Sequence, residues 1–417
     1  MEYGLIGLPL GHSFSAPIHE ALGGYRYELH ELQPQELEPF LRRRAFRAIN
    51  VTIPYKTAVL PLLDAVDKTA AAIGAVNTVV NRGGKLYGYN TDYFGMRCLL
   101  YHLGAQISGE KCLILGTGGT SRTAATLLRD MGAKTVLRVS RTAKEGALEY
   151  ASLGAHGDAS VLINTTPCGM FPQEEKTPLS LADAGLCRLK VVADAVYNPL
   201  RTRLVQNAQT QGAAAAGGLR MLVFQAAAAA ELFLGETIDS AKAEAVYKAI
   251  LLQKRNTVLI GMPGSGKTTL GRMLARQTGR VFLDTDALFL SEYGVKPDVF
   301  LRQRGEEAFR AAENAVINAR ARRAEGAVIA TGGGVVTRKE NIEMLRERGL
   351  LVFLDRPLCE IRPTEDRPLS SDRAALEARY AEREPLYRAA ADKMLQTGGK
   401  TAKENAGALA ALVAAAE

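Results

Sequence analysis

The sequence predicts an α/β chain throughout, with more than one parallel-sheet unit in tandem. Three observations carry that prediction. Short apolar runs alternate with helix-like runs from residue 3 to residue 354, the rhythm of repeated strand–helix–strand units. A glycine turn, Gly116-Thr-Gly-Gly-Thr-Ser121, separates a strand pattern from a helix pattern. A second glycine loop, Gly261-Met-Pro-Gly-Ser-Gly-Lys-Thr268, separates another such pair.

Size and composition fit this organisation. With 417 residues the chain has room for about three units of roughly 150 residues each. Apolar residues make up 47% and charged residues 23%, the balance of a soluble globular protein. The net charge of +8 comes from dispersed basic residues that alternate with Glu, as over 302–323. That pattern suits small anionic ligands and argues against nucleic acid. Five cysteines occur singly, as expected for a reduced cytoplasm. Met1-Glu2 leads straight into a strand pattern without a signal-peptide profile, and the apolar run 221–234 is broken by Gln225 and Glu231. The expectation is a cytoplasmic protein that acts on small molecules, with no membrane or nucleic-acid partner.

Taken in order, residues 3–7, 27–32, 49–53 and 78–80 read as strands, and Arg82-Gly83-Gly84 turns the last into a hairpin. Polar clusters stand at strand ends: His12-Ser13-Phe14-Ser15, Asn50-Val-Thr-Ile-Pro-Tyr-Lys56 and Gly88-Tyr-Asn-Thr-Asp92. Ligands of open α/β sheets bind at such ends. This lobe covers 1–100. Strands at 111–115, 135–139, 161–164 and 191–195, with a helix over 122–131, make 101–218 a dinucleotide-binding unit of the Rossmann type. Ser121 stands where the fingerprint G-x-G-x-x-G has its third glycine. The second strand ends in Ser140-Arg141-Thr142, with Lys144 beyond, where an NAD site carries an acid; a guanidinium and hydroxyls suit the 2′-phosphate of NADP. An ordinary surface arginine is the alternative. Helices over 219–234 and 240–252 return to the first lobe, giving it 219–253, and Gln253-Lys-Arg-Asn256 reads as a linker.

The final domain, 254–417, opens on the second glycine loop, which fits G-x-x-x-x-G-K-[ST] at every fixed position. Its N–H groups, Lys267 and the Thr268 hydroxyl are the means of holding nucleotide phosphates and Mg²⁺. Further strands at 281–283, 327–330 and 351–354 complete a P-loop parallel sheet of the nucleoside monophosphate kinase-like kind. Gly332-Gly333-Gly334 stands where many P-loop proteins carry a metal-binding Asp, which favours a small-molecule kinase over a motor or GTPase. Residues 401–417 read as a helix without assignable chemistry.

Both parts resemble known families. Residues 1–253 resemble shikimate dehydrogenase through Gly7-Leu-Pro-Leu-Gly-His-Ser-Phe-Ser15, Asn50 to Lys56, Gly74-Ala-Val-Asn-Thr78, Asn90-Thr-Asp92, Gly116 to Gly119 and Tyr197-Asn-Pro199. Ala16 and Glu20 depart from that pattern. Residues from about 256 resemble shikimate kinase through the P-loop, Asp284-Thr-Asp286, Phe309-Arg310, the three glycines, Arg367-Pro-Leu369 and Arg383-Glu-Pro-Leu-Tyr387. The resemblance implies a bifunctional enzyme that reduces 3-dehydroshikimate with NADPH and phosphorylates the product with ATP and Mg²⁺.

It also implies roles. Lys56 donates or relays the proton and Asp92 holds it in place; Ser13 and Ser15 take the substrate carboxylate, and Thr52, Asn77, Tyr197 and Gln225 its other contacts. NADP falls to Gly116, Thr117, Gly118, Gly119, Thr120, Ser140, Arg141, Thr142, Lys144 and Gly218. In the kinase, Asp286 orients the hydroxyl, Arg310 and Arg383 grip the carboxylate, and Gly333 offers backbone. Gly264, Ser265, Gly266, Lys267, Thr268 and Thr269 take ATP, Thr268 and, through water, Asp284 take Mg²⁺, and Arg367 closes from a lid that is shorter than the family's. Two alternatives stand beside this reading: a quinate/shikimate dehydrogenase fused to a related kinase, and a regulatory nucleotide binder without turnover.

Overall fold

The computed structural model describes residues 1–417 except His12, residues 144–145, residues 362–372 and Glu417. It divides into two compact units, Met1–Ile250 and Leu251–Glu417.

The first unit contains two sheets. Strands β1 (Tyr3–Gly7), β2 (Glu28–Glu31), β3 (Ala48–Val51), β4 (Ala65–Val66), β5 (Thr78–Arg82) and β6 (Lys85–Tyr89) assemble in the order β2-β1-β3-β5-β6-β4. β1 pairs in parallel with β2 and β3, and β3 runs antiparallel to β5. The β5–β6 hairpin turns on Gly83 and Gly84, both at positive φ, as a tight two-residue turn between twisted strands requires. Alternation along the strands feeds two cores. Ile6, Ile49 and Val79 face one, while Leu5, Ala48 and Val80 face another that includes Ala229 and Phe233 of the helix Leu219–Leu234. Both faces of the sheet are therefore covered, and its polar strand ends become the accessible chemistry.

The second sheet is parallel throughout. Strands β7 (Lys111–Leu115), β8 (Thr135–Ser140), β9 (Leu148–Glu149), β10 (Val161–Asn164), β11 (Val191–Asp194) and β12 (Ala214–Ala216) lie in the order β12-β11-β10-β7-β8-β9. Cys112 and Ile114 point into one core and Leu113 and Leu115 into the other, so β7 reads as an unbroken apolar run.

In the second unit, β13 (Asn256–Ile260), β14 (Phe282–Asp284), β15 (Val328–Ala330), β16 (Gly349–Asp355) and β17 (Lys393–Gln396) form a parallel sheet in the order β14-β15-β13-β16-β17. The central strands again serve two cores, Val258 and Phe353 on one side and Leu259 and Val352 on the other.

Three local expectations change. The stretch read as a linker is helix through Lys254 and strand from Asn256, with only Arg255 between. The helix after the first glycine turn begins at Gly119 instead of Arg122, so the turn itself supplies the helix N-terminus. The C-terminal helix Ala402–Ala415 is a structural member of the second unit: Leu409 and Val413 pack with Leu270 and Leu274, and Arg255 donates to the carbonyls of Val413 and Ala416. A cation at those carbonyls satisfies groups that the end of a helix otherwise leaves open.

Candidate active sites

In the first unit the site forms where β3 and β6 end and β5 begins. Lys56 follows the turn after β3, and Asp92 opens the helix Asp92–His102. Their side chains meet at 2.6 Å between Nζ and Oδ2 and are only 15% and 8% exposed. The other carboxylate oxygen of Asp92 accepts from Asn77 Nδ2 at 2.9 Å. Asn77 is buried at the start of β5, where its Oδ1 also accepts the backbone N–H of Thr91 at 2.7 Å. Gln225, from Leu219–Leu234, completes the cluster through Oε1, 3.3 Å from both Asn77 Nδ2 and Thr91 Oγ1.

That last contact depends on Gly95. A Cβ there would lie 2.4 Å from the Met221 carbonyl and 2.8 Å from the Gln225 Cβ, so the helices reach this separation only with glycine at the crossing. Gly95 was not singled out by motif, and Thr91, although inside the Asn90-Thr-Asp92 segment, was given no role of its own.

Ser13 precedes and Ser15 opens the helix Ser15–Gly23, and the Ser13 hydroxyl accepts the Ser15 N–H at 3.2 Å. Tyr197 bonds Ser13, packs on the ring of Phe14 at 5.2 Å, and has its hydroxyl pKa pushed up by burial, with the Ser13 bond opposing. Thr52 ends β3 with its methyl against Gly7.

The cofactor residues gather at the ends of β7, β8 and β11. Gly116 is at φ +108, and a Cβ there would lie 2.7 Å from Thr165 Oγ1. Gly118 caps and Gly119 begins the helix Gly119–Asp130, with Thr117 and Thr120 on either side. Such a helix start receives a pyrophosphate. A Cβ on Gly119 would lie 3.6 Å from the Lys56 side chain, which brings the glycine turn up to Lys56. Ser121, at the third-glycine position, is fully buried and donates to the Gly116 carbonyl at 2.7 Å, closing the turn with a hydrogen bond where other chains use bare glycine. Ser140 ends β8 and bonds the backbone of Thr142; Arg141 and Thr142 are exposed. Gly116 N–H donates to the Val139 carbonyl, so this pair adjoins the turn. Gly218 begins the returning helix, 2.3 Å from the Ala195 carbonyl at its Cβ position. Lys144 lies outside the described residues.

The second unit's site is built around the P-loop. Gly264 and Gly266 take φ of +86 and +96, and Lys267 starts the helix Lys267–Thr278 with Nζ on the carbonyls of Gly261 and Met262 at 2.8 and 2.9 Å. Ser265 Oγ is buried in this loop without a hydrogen-bond partner among the described residues. Thr268 Oγ1 donates to Asp284 Oδ2 at 2.9 Å, and Thr269 is exposed beside it. A hydroxyl and a carboxylate at that distance are hard oxygen donors of the kind Mg²⁺ takes. Asp284 also caps the next helix, accepting the N–H of Asp286 at 3.0 Å.

The three glycines are where Asp286, Arg310, Glu313 and Arg383 converge. Asp286 Oδ1 and Glu313 Oε1 lie 3.1 and 3.0 Å from the Cβ position of Gly332. A Cβ on Gly333 would strike Pro263, and one on Gly334 would overlap the Arg310 guanidinium. Arg310 pairs with Glu313 at 2.8 Å, each nearly buried, and burial pushes the Glu313 pKa up against the pull of Arg310. Arg383 Nη1 and the Tyr387 hydroxyl both donate to the Gly333 carbonyl. Among the described residues, Nε of Arg310 and Nε of Arg383 are buried without partners, cationic donors that fit an anion. Glu313 and Tyr387 were not anticipated; the first shares a helix face with Arg310 at i,i+3, a spacing that could have exposed it. Arg367 and the short lid lie outside the described residues.

Fold and sites together define an NADP-linked reductase and a P-loop phosphotransferase on one chain. Comparison with known proteins says which. The family model for the shikimate dehydrogenase substrate binding domain matches residues 5–79, and that for shikimate kinase matches residues 263–413. Shikimate dehydrogenase (NADP(+)) of Methanopyrus kandleri is 39% identical over 276 residues, covering 60% of this chain and 94% of that protein; that of Clostridium perfringens is 35% identical over 266 residues, covering 60% and 97%. Among solved structures, the Thermus thermophilus enzyme in complex with NADP(H) and shikimate aligns with a TM-score of 0.53 at 34% identity, over 60% of this chain and 99% of that one. A chorismate mutase/shikimate 5-dehydrogenase fusion protein from Clostridium acetobutylicum aligns at 0.56 with 32% identity, over 60% and 96%. The chain belongs to the shikimate dehydrogenase family and carries a shikimate kinase domain after it. It is a bifunctional shikimate-pathway enzyme that uses NADP(H) in one activity and ATP with Mg²⁺ in the other.

Proposed function

We propose that residues 1–100 with 219–253 bind 3-dehydroshikimate, that 101–218 bind NADPH, and that 254–417 phosphorylate the shikimate released. The observation that carries the reductase assignment is the buried Lys56–Asp92 contact beside Gly119. NADPH supplies a hydride to the ketone carbon, and negative charge then gathers on the oxygen. Lys56 delivers the proton there. Asp92 holds the ammonium in place and accepts from a ring hydroxyl, while Asn77, Thr52 and Gln225 orient the ring. Ser13, Ser15 and Tyr197 seat the carboxylate end. Glycines 116, 118 and 119 with Thr117 and Thr120 hold the pyrophosphate, Gly218 borders the nicotinamide side, and Ser140, Arg141, Thr142 and Lys144 select the 2′-phosphate.

In the kinase, ATP with Mg²⁺ supplies the γ-phosphoryl group and neutralises its charge. Asp286 orients the attacking hydroxyl and takes its proton. Arg310 and Arg383 bind the carboxylate, Gly333 leaves room for the ring, and Arg367 closes over the phosphates. Gly264, Ser265, Gly266, Lys267 and Thr269 hold those phosphates, and Thr268 with Asp284 holds the metal. Small-molecule substrates and a cytoplasmic setting, suggested by five free cysteines, complete the reading.

The test supplies 3-dehydroshikimate, NADPH, ATP and Mg²⁺ together and follows shikimate 3-phosphate. Lys56→Ala should stop NADPH oxidation, and Asp286→Asn should let shikimate accumulate. Unchanged flux through either variant refutes that residue's role.

A further inference from the structure

Asp194 is fully buried at the end of β11, and neither activity uses it directly. Its carboxylate accepts three hydrogen bonds: Asn164 Nδ2 at 2.8 Å and Val196 N–H at 3.0 Å on Oδ1, and Thr202 Oγ1 at 2.7 Å on Oδ2. The donors belong to two loops that leave adjacent parallel strands. Asn164 ends β10, and its own Oδ1 accepts from Thr166 N–H at 3.0 Å and Thr166 Oγ1 at 2.7 Å. Thr166 and Thr165 lie against Gly116, within 3.2 and 2.7 Å of its Cβ position. On the other side, Val196 and Thr202 bracket Tyr197, which touches Ser13 and Phe14.

We propose that Asp194 is a positioning residue for the reductase: its carboxylate clamps the loop after β10 to the loop after β11, fixing Tyr197 against Ser13 and Thr165–Thr166 against the cofactor turn. This rests on the reading of Tyr197 and Ser13 as substrate contacts. The physical logic is acceptor supply. Three donors converge on one side chain, and only a carboxylate accepts from all of them with both oxygens. An amide of the same shape either faces its NH2 against two donors, Asn164 and Val196, or faces it against Thr202, whose hydroxyl must then accept it beside the Val205 N–H and gives up the carboxylate that took its own proton. Either way the clamp on one loop is loosened. Gly218 N–H donates to the Val196 carbonyl, so the start of the returning helix moves with it.

The full chain provides its own control, because kinase turnover reports an intact second unit. Asp194→Asn is expected to raise KM for 3-dehydroshikimate about 10- to 100-fold, with a smaller rise in KM for NADPH and unchanged kinase constants. Tyr197→Ala should raise the same substrate KM. In the double variant, Asp194→Asn should add little to Tyr197→Ala, since a clamp on an absent side chain has nothing to place. Fully additive effects overturn the proposal and leave Asp194 a packing residue. A Tyr197→Ala variant with normal KM overturns instead the reading of Tyr197 as a substrate contact. Should Asp194→Asn fail to fold, Thr202→Val and Thr202→Ser carry the same cycle: the valine should raise the substrate KM and the serine, which keeps the hydroxyl, should restore it. Equal effects of the two also refute the clamp.

Discussion

The reductase site is assembled from groups that satisfy one another, whereas the kinase site holds buried groups left unpaired among the described residues. Lys56, Asp92, Asn77, Thr91 and Gln225 come from separate elements and are already joined by hydrogen bonds. In the P-loop unit, Ser265 Oγ and the Nε atoms of Arg310 and Arg383 are buried without partners among the described residues. The difference teaches where each enzyme keeps its free energy of recognition. A joined network is positioned before substrate arrives, which suits proton delivery at one atom. Unsatisfied donors are costly until an anion enters, which suits a site whose ligands carry several negative charges.

The strongest way to break that comparison is to remove the proton-transfer group on each side. Lys56→Ala should lower the reductase kcat by about 10²- to 10⁴-fold, and kinase constants measured on the same preparation should stay at the parent value. Asp286→Asn should do the converse. A variant that damages both activities equally points to a folding defect and removes the contrast.

Next in size is the buried pair Arg310–Glu313, both on the helix Glu306–Val316 and 8% and 7% exposed. Arg310→Ala leaves the Glu313 carboxylate buried without its cation, which should destabilise the second unit by about 3–5 kcal/mol. Lys56→Ala is milder by this measure, because Asp92 keeps its bond from Asn77. Urea unfolding of the two variants ranks them, and equal losses would contradict the distinction between a pair confined to one helix and a network spread over several elements.

Much of this was legible in the sequence where a loop carries its own chemistry. The P-loop, Asp284-Thr-Asp286 and Asn90-Thr-Asp92 fall where their motifs put them, because local backbone geometry and local side chains suffice. Contacts across elements were legible only through family resemblance: Lys56 and Asp92 meet because β3, β5 and β6 are neighbours, and sheet order is not encoded in spacing. Gly95 and Asp194 were missed for the same reason, each acting through a partner on another element, whereas Glu313 pairs with Arg310 on its own helix and was open to a spacing argument. The supposed linker at 253–256 misled because charged residues there serve a helix end and a strand start; Arg255 proved to be a cap for the C-terminal helix.

Acid should separate two buried groups within the reductase unit. Burial lowers the His19 pKa to about 3, with Asn50 opposing, and raises that of Asp194 to about 6, against bonds from Thr202, Val196 and Asn164. The signs oppose. Below the ordinary histidine value the unfolded chain takes up a proton that folded His19 refuses, so stability falls as pH drops, by about 2 kcal/mol between pH 7 and 5. Asp194 takes its proton in the folded state first, so its contribution rises by about 1.4 kcal/mol over the same interval. His19→Gln should raise the urea midpoint at pH 5 relative to that at pH 7, and Asp194→Asn should lower it. The opposite order would refute the assignment of these shifts.

The smallest effects lie in the two glycine turns, where the comparison is sharpest. Ser121 Oγ already donates to the Gly116 carbonyl, so Ser121→Ala should cost the first unit about 1 kcal/mol whether or not NADPH is bound. Ser265 Oγ has no partner to lose. Ser265→Ala should therefore leave the ligand-free melting temperature within about 1 °C of the parent, yet raise KM for ATP by roughly five- to tenfold as one bond to phosphate disappears. Thermal melts with and without each nucleotide measure both. If Ser265→Ala lowered ligand-free stability as much as Ser121→Ala, its hydroxyl would be a packing element, and the P-loop would be as fully satisfied before ligand as the reductase turn.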